Sequence, residues 1–141
     1  MHYHQKNKLR IYTIICFLFA FIMIAQNTKD LIGKWDLEVN INGKLFPSWL
    51  QVKQSGTKAL VGYFVAHNGS ARPISEIFFH NGIIDFSIPP QFDGYNDMHF
   101  QGVLSEGILK GFILSSEGGS HSFSGFPAPK LNRNTEVKWG K

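Results

Sequence analysis

Arg72 stands among small residues in the run Gly69-Ser70-Ala71-Arg72-Pro73-Ile74-Ser75. Pro73 fixes its own φ and pushes Arg72 toward extended conformations, so a loop over residues 67–72 would present the guanidinium from a stiffened backbone. A forked, permanently charged donor held that way either grips a ligand or latches the fold by bonding backbone carbonyls. Flat apolar partners for a ligand are present. Trp49 falls on the polar face of its strand, Phe92 and Tyr95 lie in a long loop over residues 91–96, and Asp97 follows as an acceptor. Together with Arg72 this set suits stacking on the C–H face of a sugar while bonding its hydroxyls. The competing reading has the aromatics completing the core and Arg72 closing one end of the fold, stacked on Trp35 or Trp49.

Other chemistries find little support. There is no Gly-x-Ser-x-Gly elbow, and Ser120-His121-Ser122 sits in a glycine-rich turn where serine is ordinary. His67, His80, His99 and His121 lack zinc-ligand spacing, so neither metal nor cofactor is expected. Asp93 and Asp97 could reach the separation of roughly 5 to 9.5 Å that glycoside hydrolysis needs, although loop aspartates more often cap turns. The order Asp93-Gly94-Tyr95-Asn96-Asp97 does not match a calcium loop.

The N-terminus sets the expected compartment. Lys6, Lys8 and Arg10 precede an apolar run over residues 11–24, followed by Ala25-Gln26-Asn27. This is the layout of a secretory signal over residues 1–26, and the run is shorter than the roughly 20 residues a membrane-spanning helix requires. Removal of that signal takes three of the 14 basic residues and none of the 10 acidic ones, leaving 11 basic against 10 acidic. A mature domain so near neutrality has no footprint for nucleic acid or an anionic membrane. The single cysteine, Cys16, leaves with the signal, which suits an oxidising compartment and excludes disulfides. The expected location is periplasmic or extracellular.

The elements that must position these residues read as strands. Trp35, Leu37, Val39 and Ile41 alternate with polar residues, and Asn42-Gly43 closes a hairpin. Strands follow over residues 48–54, 59–66, 74–80 and 83–88, the last two joined by Asn81-Gly82. Further strands over residues 98–104, 108–115 and 121–126 complete about eight at the even spacing of antiparallel barrels. Sequential hairpins predict an all-β fold, a single antiparallel up-and-down β-barrel of lipocalin-like shape over residues 31–129. Closed at that strand number, it encloses side chains or one small ligand. Gly33-Lys34-Trp35 resembles the Gly-x-Trp signature of lipocalin-like barrels. Residues 130–141 read as a polar linker or truncated tail.

Pro47-Ser48-Trp49-Leu50, Leu60-Val61-Gly62, the Arg72 run, Ile88-Pro89-Pro90-Gln91 and Ala128-Pro129-Lys130-Leu131 occur in that order. Together they resemble the N-terminal domain that precedes the catalytic domain in secreted bacterial proteins of the 3-keto-disaccharide hydrolase family. In such proteins a segment like Val137-Lys138-Trp139-Gly140-Lys141 leads into the hydrolase domain. Phe92 and Phe123 stand where that family tends to carry tryptophan. The resemblance implies an accessory domain, detached or free-standing, with a carbohydrate ligand or a hydrolase partner. Three readings are therefore carried forward: a non-catalytic ligand-binding module, a hydrolase acting on glycosides or 3-keto-disaccharides through Asp93 or Asp97, and a docking or spacer domain.

Overall fold

A computed structural model describes residues 27–67, 69–91 and 96–130 of the 141-residue chain. Residues 1–26, read above as a secretory signal, the segment holding Phe92, Asp93 and Tyr95, and the tail after Lys130 lie outside the described residues. The fold is all-β and barrel-like as the alternating pattern predicts, with nine strands where about eight were expected, in one antiparallel sheet that curls into a half-barrel. They are β1 (Gly33–Ile41), β2 (Lys44–Ser55), β3 (Ala59–Val65), β4 (Ala71–Ile74), β5 (Phe78–His80), β6 (Ile83–Ile88), β7 (Met98–Ser105), β8 (Ile108–Leu114) and β9 (Ser120–Pro127). Their spatial order is β4-β3-β2-β1-β9-β8-β7-β6-β5, so the first and last strands pair and the two edges fall in mid-chain.

That edge explains the ninth strand. Residues 74–80 read as one strand in the sequence, but the chain breaks after Ile74, and its two halves pair on opposite edges of the sheet. Residue 74 closes the β4 ladder against β3, while Phe78 opens the β5 ladder against β6. Ile77 bridges the seam, buried in the core with its N–H donated to the Leu60 carbonyl at 2.9 Å. Arg72 also differs from expectation, because it lies within β4 and not in a loop. Pro73 is compatible with this since β4 is an edge strand, where a missing N–H costs no ladder bond. Pro47 in β2 follows the same logic: it faces Glu38 of β1, but the β2–β3 ladder begins only at Trp49.

Alternation decides what faces inward. In β1, Trp35, Leu37 and Val39 are buried while Lys34, Asp36 and Glu38 are exposed. Four phenylalanines fill the middle of the core. Phe86 and Phe123 stack on either side of Phe100, with centroids 4.5 and 4.4 Å away, and Phe64 meets Phe100 edge-on at 6.2 Å. Room for the Phe123 ring comes from Gly102, where a Cβ would approach its Cζ to 2.9 Å. On the neighbouring strand the backbones come closer still, and a Cβ on Gly111 would overlap the Gln101 carbonyl oxygen and the Gly102 Cα.

One helical turn was not foreseen. Helix α1 (Thr28–Leu31) is too short to show a period in the sequence, yet it carries a full capping box between Asn27 and Asp30. Its Leu31 is fully buried, and the Leu31 carbonyl accepts the indole N–H of Trp35 at 2.9 Å. The Gly-x-Trp run thus ties the chain entry to the start of β1. At about 3.3 Å per residue, Ile41 at the other end of β1 lies far from this plug, and the fold is open there.

Candidate functional site: a cavity at the Arg72 end

A cavity of about 330 Å³ occupies the end of the half-barrel remote from α1. Its apolar wall continues the core, through Val39 and Ile41 of β1, Phe46 of β2, Phe64 of β3, Met98 of β7 and Ile113 of β8. Polar groups gather where strands end. Ser48 and His67 stand on one side, Gln91 and Asn96 flank the 92–95 segment, and Ser115, Ser116 and His121 stand on the other. Two turns hold these groups in place. Gly69 N–H bonds the Ala66 carbonyl at 2.9 Å beside His67, and Ser115 N–H bonds the Gly119 carbonyl at 2.7 Å beside His121. The His67 ring packs on Phe46 with centroids 5.0 Å apart. Ser48 is already committed, its hydroxyl donating to the Val65 carbonyl at 2.6 Å.

Arg72 lines this cavity and is only 8 % exposed, the one buried charged side chain among the described residues. Its inward direction follows from β4 alternation, Arg72 and Ile74 in and Ala71 and Pro73 out. Nη1 donates to the Pro89 carbonyl at 3.3 Å, a bond from β4 across the seam to the residue after β6. The guanidinium lies over the Phe64 ring, Cζ 5.4 Å from the centroid. Nε is closed off from solvent and has no hydrogen-bond partner among the described residues. Burial lowers the guanidinium pKa from its ordinary value, a direction that reflects charge placed away from water. The geometry is therefore neither of the two anticipated from sequence. Arg72 spans the seam as a latch would, yet it is under-bonded and faces a cavity.

The other residues singled out from sequence are placed apart from it. Trp49 is half-buried on the outer face of β2, opposite Asp36 and Val65, with the Lys34 ammonium 5.7 Å above its ring. Arg72 points into the half-barrel, so the sheet separates the two. Asp97 is exposed just before β7 and does not line the cavity. Phe92 and Tyr95 lie outside the described residues, in a segment whose flanks, Gln91 and Asn96, both line the cavity. Phe123 belongs to the core stack.

His67, Gln91, Ser116 and His121 were missed as cavity residues. For His121 a signal existed: it shares the parity of buried Phe123 along β9. No aspartate or glutamate lines the cavity among the described residues, and no group of three metal-ligating side chains occurs among them. The one ion-pair geometry among the described residues lies on the outer face, where His99 Nε2 and Asp85 Oδ2 are 3.0 Å apart and both side chains are at least a third exposed. No family model, curated protein or solved structure matches this chain. No helix of the described residues is long and apolar enough to cross a membrane.

Proposed function

We propose that this protein is an exported, non-catalytic β-barrel module that binds a small ligand in the cavity beside Arg72 and serves carbohydrate processing. The observation that carries the reading is the buried, under-bonded guanidinium on the wall of a cavity that is apolar in depth and polar at its mouth. A volume of about 330 Å³ is near the lower end of the roughly 300 to 1,000 Å³ typical of ligand sites, room for about one sugar unit. Phe64, Phe46 and Met98 offer surface to the C–H face of such a ring, and the histidines, Gln91 and Asn96 offer bonds to hydroxyls. The carbohydrate assignment draws on the ordered segments that resemble the accessory domain of 3-keto-disaccharide hydrolase family proteins. Export draws on the layout of residues 1–26.

Calorimetric titration of the purified protein against a panel of mono- and disaccharides, including 3-keto forms, tests this reading. Saturable binding without turnover is expected. Silence across the panel overturns the ligand-binding part, and turnover that is lost in Asp97→Asn replaces it with the hydrolase reading.

A docking or spacer role is favoured by one separate observation. Phe78, Ile83, Val103 and Phe112 are each about half exposed on the outer face of the β5–β8 wall. Under that role, Phe112→Ser and Val103→Ser would abolish association with a hydrolase domain while leaving the fold intact.

A further inference from the structure

Among the described residues the cavity has a charge imbalance, and it narrows the ligand class. Arg72, itself more than nine-tenths buried, brings one permanent positive charge to the cavity wall. Among the described residues, no carboxylate lies within ion-pair distance of it, and none lines the cavity. A guanidinium has five N–H donors in a rigid fork. Here one donor reaches the Pro89 carbonyl, at a length of 3.3 Å that is long for an N–H···O bond, and Nε has no described partner. A buried charge without a counter-charge is costly, and proteins keep such groups paired or put them to use. The remaining polar groups at the mouth, His67, His121, Gln91 and Asn96, can all donate as well.

We infer that the ligand of this cavity carries a carboxylate, which pairs with Arg72 while its body lies on the apolar wall. A planar two-oxygen acceptor matches the guanidinium fork and supplies a negative charge that the described lining lacks. One permanent cation balances a monoanion better than a phosphate monoester, which carries about 1.5 to 2 negative charges at pH 7. Combined with the carbohydrate reading above, on which this step rests, the ligand class is a sugar acid of about one ring, such as a hexuronate. The seam bond to Pro89 gives a further consequence. A carboxylate that draws the guanidinium toward the mouth competes with that long bond, so binding and the β4–β6 seam are linked through one side chain.

The test uses the purified full chain and four probes in calorimetry: glucuronate, its neutral methyl ester, glucose 6-phosphate and hexanoate. Glucuronate is expected to bind about 10- to 100-fold more tightly than the ester, as loss of a charge-assisted pair implies. Arg72→Gln should remove most of that preference, because it removes the charge, while Arg72→Lys should keep part of it, because an ammonium keeps the charge and loses the fork. Ser116→Glu places a negative charge at the exposed mouth and should weaken glucuronate several-fold more than it weakens the ester. Equal binding of acid and ester, or tighter binding of the phosphate, overturns the carboxylate assignment and leaves the carbohydrate reading standing. Arg72-dependent binding of hexanoate with no binding of any sugar upholds the carboxylate and overturns carbohydrate. No binding of any probe overturns both.

Discussion

Replacing Arg72 with methionine separates a structural latch from a ligand-binding group, because the two roles predict different stabilities. The substitution removes one bond to the Pro89 carbonyl, worth about 1.5 kcal/mol at the weak end expected for 3.3 Å. It also removes the stacking over Phe64, worth about 0.5 to 2 kcal/mol. Against this, it relieves a buried Nε without a described partner, at about 1 to 3 kcal/mol. The methionine sulfur recovers about 0.3 to 1.5 kcal/mol against the same ring. At their midpoints these terms cancel, and at their extremes they leave about 2 to 2.5 kcal/mol of either sign, which for a domain near 100 residues is a Tm change of no more than about 20 °C. Urea and thermal unfolding of wild type and Arg72→Met measure it directly. A loss above about 3 kcal/mol would refute the reasoning and make the seam bond the reason for the arginine, since a binding role requires no such contribution.

Three further substitutions probe the scaffold. Phe100→Ala removes the ring on which Phe86, Phe123 and Phe64 all pack, and chemical denaturation should register a loss of about 3 to 5 kcal/mol. Gly111→Ala should be more damaging than Gly125→Ala, because the first Cβ overlaps backbone atoms, whereas the second clashes with the movable end of Leu37, at 2.5 Å, and meets Leu109 at ordinary contact distance. Equal Tm losses in the two would show that the close approach at Gly111 is not what requires glycine. Trp35→Phe keeps an aromatic ring, though a smaller one, but leaves the buried Leu31 carbonyl without its donor, at a cost of about 1 to 3 kcal/mol in the same assay.

Strand alternation made most of the fold legible. Hairpin turns at Asn42-Gly43 and Asn81-Gly82 stand where the sequence puts them, each with both residues at positive φ. The break between Ile74 and Phe78 was not read, because Ser75-Glu76 is only a two-residue polar step between apolar Ile74 and Ile77-Phe78-Phe79. It becomes a break only because one half pairs with β3 and the other with β6, a long-range choice that no local pattern encodes. Helix α1 was hidden by its length.

The site was half legible. Arg72 was found from its small neighbours and Pro73, but its strand and its inward direction were not. Parity supplies the missing step. Leu50 and Val52 point inward along β2, so Phe46 and Ser48 do as well, while Trp49 does not. The same count from Phe123 reaches His121, from Phe100 reaches Met98, and from Ile113 reaches Ser115. Chemical type drew attention to Trp49, and alternation assigns it to the opposite face of the sheet.

The most direct test of the account is a map of where a ligand binds. Backbone amide shifts of the isotope-labelled protein, followed by NMR while glucuronate or a neutral sugar is added, give that map without any substitution. Saturable changes are expected at His67, Arg72, Ser115, Ser116 and His121, the residues around the cavity, with Asp36, Trp49 and Val65 on the outer face unmoved. Changes confined to the outer face, or a spectrum that stays unchanged at saturating sugar and sugar acid, would contradict the claim that the Arg72 end of the half-barrel is a binding site.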